Sequence, residues 1–193
     1  MNTLAHLERE TYEAMWAVPD YANTSPGGQL VPAFLEMSGA TPKATTTVLD
    51  AGCGSGKGAL ALKAAGFGVE MADLTPAGLL LEAGGIPFHG LALWDDIRQR
   101  TCCTYDFVYC CDVLEHVPTP FVMLAVQRML EAAYRGVFIS VALQGDNFGV
   151  WVGKPLHQTV MNFVQWRHML SAIGRVVECR DMLMNGLYYL ERR

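Results

Sequence analysis

Apolar positions in this chain change period several times along its length. Residues 3–17 repeat at helical spacing, with Leu4, Leu7, Met15 and Trp16 on one face. A turn-rich stretch over 19–28 follows, containing Ser25-Pro26-Gly27-Gly28, and the pattern then predicts a second helix over 29–37. From there short apolar runs alternate with helical ones. Strands are predicted over 46–50, 68–73, 86–90, 105–110 and 137–143. Helices are predicted over 57–66, 76–83, 119–133 and 159–172. Thr119-Pro120 opens one of these, a cap residue followed by proline at the first helical position. Two final strands over 175–180 and 185–191 read as a hairpin. Strands alternating with helices imply an α/β fold: a doubly wound, seven-stranded, mostly parallel sheet with helices on both faces.

Val48-Leu49-Asp50-Ala51-Gly52-Cys53-Gly54-Ser55-Gly56 joins the first core strand to its helix. Three glycines at every second position let backbone approach a ligand and adopt positive φ. A nucleotide-phosphate loop of the G-x-x-x-x-G-K-[ST] type needs a hydroxyl where Gly58 stands and a glycine where Ala51 stands. A dinucleotide fingerprint needs glycine or alanine where Lys57 stands. Asp50 at the strand tip would repel a pyrophosphate by roughly 1–4 kcal/mol at about 4 Å in wet surroundings. The same carboxylate suits a cationic ligand. A second acid, Asp73, ends the next strand about 20 residues on, the spacing at which a carboxylate receives ribose hydroxyls.

With a third block, Tyr105 to Pro118, which contains Asp112-Val113-Leu114-Glu115-His116-Val117, the chain resembles the class I S-adenosylmethionine-dependent methyltransferases over residues 45–142. The resemblance implies a Rossmann-like fold whose last strand inserts antiparallel between strands five and six. It implies S-adenosylmethionine as cofactor, bound by Asp50, Gly52, Cys53, Gly54, Gly56, Asp73, Leu74, Leu91, Ala92, Cys111 and Asp112. Asp50 would fix the loop and favour the methionine ammonium. Leu91 stands where many members carry an aspartate, so the adenine is expected between apolar side chains, read by backbone at Leu91 and Ala92. His116 is the candidate general base, since imidazole titrates near neutral pH. The equivalent segment of ubiquinone-type O-methyltransferases, E-x-L-E-H-V-P, can hold a divalent metal; here Asp112 replaces its first glutamate. The same tripeptide occurs in relatives without metal, and no metal ligand is assigned from the sequence.

Residues 1–40 are expected to form a helical lid on a single methyltransferase domain whose core is 45–193. Trp16 and Tyr21 from that lid, and His157 beyond the fifth strand, are the expected substrate contacts. The expected activity is in-line methyl transfer to oxygen or nitrogen of a small molecule. The rivals are an RNA or protein methyltransferase and a non-catalytic subunit that keeps the cofactor site.

Charge narrows the partners. The net charge is −5 and the 14 Lys and Arg are scattered, which argues against a nucleic-acid partner. No apolar run reaches the 18 or so residues that span a bilayer, and residues 1–10 lack a signal-peptide core. The expectation is a cytoplasmic protein. Its six cysteines include the adjacent doublets Cys102-Cys103 and Cys110-Cys111, which are not spaced as zinc ligands.

Overall fold

The computed structural model of the 193-residue chain describes residues 3–22 and 25–193. Asn23 and Thr24, in the middle of the expected turn over 19–28, lie outside the described residues.

The chain begins with helix α1 (Thr3–Trp16), a single turn α2 (Pro19–Ala22) and α3 (Val31–Ser38). The core then runs β1 (Thr47–Ala51), α4 (Lys57–Ala65), β2 (Gly68–Asp73), β3 (Phe88–Gly90), α5 (Ile97–Thr101) and β4 (Tyr105–Cys111). It ends with α6 (Thr119–Ala132), β5 (Ala133–Ala142), α7 (Phe163–Ile173), β6 (Arg175–Asp181) and β7 (Asn185–Glu191). The seven strands form one sheet in the order β3-β2-β1-β4-β5-β7-β6. The first five are parallel, and β7 pairs antiparallel with both β5 and β6. The expected sheet, with its last strand inserted antiparallel, is the one observed.

Period-two alternation decides which helix covers which face. Val48, Phe107, Tyr109, Phe138 and Tyr189 point to one side and pack with Phe34 of α3 and Leu62 of α4. Leu49, Val108, Ile139 and Tyr188 point to the other and pack with Val126 and Met129 of α6 and Trp166 of α7. All of these side chains are essentially inaccessible, and at about 25 cal/mol per Å² of apolar surface they supply most of the driving force for the fold.

Local differences from the sequence reading have identifiable causes. The helix expected over 76–83 is a turn followed by a short 3₁₀ segment, Leu81–Gly85. Pro76, Gly78, Gly84 and Gly85 leave too few good helix formers to overcome nucleation. β5 starts at Ala133, directly from the last turn of α6, so no loop marks the change; Ala133 is buried and the next two residues, Tyr134 and Arg135, are exposed. The helix expected from 159 begins at Phe163, where Asn162 and Gln165 form a reciprocal capping box with both bonds at 2.9 Å. The five-residue α5, capped by Asp96, was not anticipated. On α1 the expected apolar face is partly wrong, because Leu7 is 52% exposed while Glu8 is buried. Among the described residues no helix is long and apolar enough to cross a membrane.

Candidate active site

The C-terminal ends of β1, β2, β4 and β5 meet at one edge of the sheet, and a cavity of about 340 Å³ opens there. That volume falls in the range of roughly 300–1,000 Å³ typical of small-ligand sites.

One wall is the loop after β1. Gly52 has φ of +76°, and a Cβ there would stand 2.5 Å from the Val113 methyls. Both facts demand glycine. Gly54 has φ of +50°, and a Cβ there would press on the Trp16 indole at 3.0 Å. The loop is tied to the neighbouring strand: the Gly52 and Cys53 amides donate to Ala72 O at 2.7 and 3.1 Å, and the Gly54 amide donates to Asp73 Oδ2 at 2.9 Å. Gly52, Gly54, Asp73 and Leu74 line the cavity. Gly56 and Cys53 are buried behind it, with Gly56 opening α4.

Asp50 also sits behind the loop. It is buried, accepts from the Ala59 amide, and its Oδ2 has no protein partner. Burial lifts its carboxyl from an ordinary 3.8 to about 7. It braces the first turn of α4, where a carboxylate is favoured by the helix dipole. Asp73 stands on the cavity wall, bonded also to the Thr75 amide at 3.4 Å; burial raises its pKa against the pull of these backbone amides.

After β3, Leu91 lines the cavity and its amide donates to Asp73 O at 2.9 Å. Ala92 is buried, and its amide donates to Asp95 Oδ2 at 3.2 Å. Neither Ala92 nor Asp95 lines the cavity; Asp95 fixes the turn behind Leu91 from a position the sequence pattern did not single out.

The opposite wall is α1, with α2 and the loop after β5. Glu8, Tyr12 and Trp16 face inward at i, i+4, i+8 spacing, a stripe legible in the sequence once Glu8 is allowed on the buried face. Trp16 is wedged between Gly54 and Gly78 and meets Tyr21 edge-on at 5.0 Å; Tyr21 meets Phe148 at 5.7 Å. Glu8 accepts from Lys154 Nζ at 3.2 Å and from Gln158 Nε2 at 3.0 Å, while Thr75 Oγ1 donates to Glu13 Oε1 at 3.1 Å. These contacts hold α1 across the sheet edge.

The floor follows β4. Cys111 lines the cavity. Asp112 has φ of +54°, and its Oδ1 accepts from Ser140 Oγ at 2.6 Å and Asn185 Nδ2 at 3.0 Å. Glu115 is fully buried: Oε1 accepts the Ala142 amide at 2.8 Å, Oε2 has no partner, and burial raises its pKa well above the carboxylate range. The His116 ring lies 4.7 Å from that of His157 and 5.7 Å from that of Tyr12. Its Nδ1 is buried without a partner, and burial, with His157 beside it, drives its pKa down to about 3. A neutral imidazole of that pKa accepts hydrogen bonds but is a weak proton acceptor at neutral pH. His157 is positioned by Asp146, which accepts its amide at 2.8 Å and those of Leu156 and Gly149 at 2.9 and 2.8 Å. Glu8, Asp73, Asp112, Glu115 and Asp146 line the cavity, and no Lys or Arg does among the described residues.

The family model described as a methyltransferase domain matches residues 25–176. The chain belongs to the class I S-adenosylmethionine-dependent methyltransferases. The matched range of this methyltransferase takes in the glycine loop, Asp73 and the floor after β4, and leaves α1 and β7 outside it. Its fold is similar to that of magnesium protoporphyrin IX methyltransferase from Synechocystis PCC 6803 with bound SAM. That likeness has 21% identity over 86% of this chain and 78% of the other, with a TM-score of 0.63. The PH0226 protein of Pyrococcus horikoshii OT3 is similar at 11% identity, over 91% of this chain and 100% of the other, with a TM-score of 0.69. TehB from Haemophilus influenzae is similar at 16% identity, over 86% and 62% of the two chains, with a TM-score of 0.64. No curated protein matches the sequence significantly.

Proposed function

We propose that this methyltransferase moves a methyl group from S-adenosylmethionine to oxygen or nitrogen of a small, non-anionic acceptor enclosed between the sheet edge and α1. The observation that carries the reading is the lining of the cavity. Glycine backbone and Asp73 stand at one end, Glu115, His116 and His157 at the other, aromatic side chains of α1 between them, and no cationic side chain anywhere among the described lining residues.

The residues present fit the donor. Gly52 and Gly54 leave the loop's backbone bare along the cavity wall, where a side chain would collide with Val113 or Trp16. Asp73 offers a carboxylate to ribose hydroxyls, and Leu74 and Leu91 offer apolar contact. The acidic wall suits a cation and repels a phosphate. When bound, S-adenosylmethionine supplies a methyl group on a positively charged sulfur, ready for in-line displacement.

The chain's own task is orientation and exclusion of water. Holding acceptor and donor on one axis is worth up to roughly 7–11 kcal/mol. The edge-on packing of Trp16, Tyr21 and Phe148 closes the cavity on the α1 side. In this reading α1 is the lid, and Trp16, Tyr21 and His157 bound the acceptor. His116, neutral at physiological pH, accepts a hydrogen bond from the acceptor and fixes its position.

Titration calorimetry with S-adenosylmethionine and with its demethylated product tests the reading. One site per chain is expected for each, followed by methyl transfer to members of a panel of amines and phenols and none to carboxylates. Absence of binding heat for both nucleosides would end the proposal.

A further inference from the structure

We propose that the indole N–H of Trp94 donates a hydrogen bond to a ring nitrogen of the cofactor's adenine, and that this donor reads the base in a loop that has no acidic side chain facing the cavity. The inference rests on S-adenosylmethionine as the cofactor and is independent of the acceptor's identity.

The loop after β3 leaves few groups free for the task. Leu91 lines the cavity but carries no polar side chain. Its amide is engaged with Asp73 O at 2.9 Å, and the Ala92 amide is engaged with Asp95 Oδ2 at 3.2 Å. Ala92 is buried behind the lining. The two backbone groups expected to read the base are therefore already bonded within the protein. A base seated beside Leu91 without another polar partner would exchange its hydrogen bonds to water for none, at a cost in binding.

Trp94 supplies the missing partner. It lines the cavity with Leu74, Leu91 and Val113, it is 7% exposed, and its Nε1 is buried without a partner. An indole N–H can only donate, and a buried tryptophan ordinarily finds an acceptor for it. Among the described residues the Trp166 indole also lacks a partner, but it is enclosed in the core and does not line the cavity. The unpartnered atoms of Tyr12, Glu115 and His116 do line it; they gather at the acceptor end, where the Tyr12 and His116 rings meet at 5.7 Å. Adenine suits the Trp94 donor, because its ring nitrogens present lone pairs in the ring plane.

The turn that carries Trp94 is closed from both ends. The Asp95 amide donates to Ala92 O at 2.9 Å while the Asp95 carboxylate takes the Ala92 amide, and Asp96 caps α5 directly afterwards. The indole packs on Phe121 of α6 at 5.3 Å. Its orientation is thus set by the protein, which lowers the cost of ordering it on binding.

Calorimetry with S-adenosylhomocysteine and with its 1-deaza, 3-deaza and 7-deaza analogues tests the proposal. Each analogue exchanges one ring nitrogen of the base for C–H. With wild type, one of the three should bind about 5–100-fold more weakly than the parent, and the other two within about threefold of it. Trp94→Phe keeps a ring against Phe121 and removes the donor. It should lose the same factor toward the parent and show no further loss with the sensitive analogue. A merely structural Trp94 would weaken all of these ligands alike in the variant and leave their ratios unchanged. The proposal is overturned if wild type binds every analogue as tightly as the parent, a result that does not depend on whether Trp94→Phe folds. It is also overturned if Trp94→Phe still discriminates against the sensitive analogue. Absence of binding heat for the parent with wild type would overturn it together with the cofactor reading, so the two failures are told apart.

Discussion

Asp50 and Asp73 end neighbouring strands, and the structure separates their roles by burial and by what each faces. Asp73 reaches the cavity, so Asp73→Ala should weaken S-adenosylmethionine binding by about 1–3 kcal/mol, the cost of leaving polar partners unpaired. Calorimetry at fixed pH measures it. Asp50 faces the first turn of α4 instead, and its consequence is pH dependence. Its carboxyl titrates near 7 in the folded chain and near 3.8 when unfolded. Between those values the folded chain holds a proton that the unfolded chain has released. The stability from this group is therefore full at about pH 4 and falls as pH rises through 7. Asp50→Asn should flatten that slope in cofactor-free protein, read from urea midpoints across pH 4–8. Both aspartates were legible in the sequence because glycine spacing and strand ends mark them. Asp95 was not: it reaches back three residues to the Ala92 amide, a loop contact that leaves no periodic trace.

At the scale of elements, α1 is held by the buried Ala5 and Met15, by Trp16 packed over glycines, and by polar bonds. Of these bonds Glu8 makes the most, taking both Lys154 and Gln158 beside the Thr75–Glu13 bond. Glu8→Ala should loosen α1 without unfolding the sheet. Hydrogen exchange should then speed up over residues 3–16 while β4 and β5 stay protected, and KM for the acceptor should rise more than kcat falls. The long elements were readable from periodicity alone: β1, β2, β4, α4 and α6 lie within a residue or so of expectation. What escaped were pieces whose cause is local. α5 depends on one cap, the segment after Asp73 depends on Gly78 packed against Trp16, and the α6–β5 junction has no breaker residue at all. The cavity floor was half legible. The Asp112 to His116 segment stood out as a motif, but its union with His157 depends on how Asp146 folds the loop after β5.

For the whole molecule, the net charge of −5 and the acidic cavity point the same way. An RNA gel-shift series over 50–200 mM salt should show no salt-dependent retardation, since counterion release needs a basic surface; a steep salt dependence would reopen the RNA reading. The seven-stranded architecture was legible as a whole, because strand–helix alternation and the closing hairpin leave little topological freedom.

The position of β7 bears on how the enzyme is made. Asn185–Glu191 leaves the ribosome after the other six strands of this sheet, yet it lies inside the sheet between β5 and β6. Until it emerges, β5 keeps an unpaired edge and Asp112 lacks Asn185. A nascent chain stalled before residue 185 is therefore a half-built sheet with an open seam, exposed to chaperones and proteases. The methyltransferase acquires its finished site only as translation delivers β7.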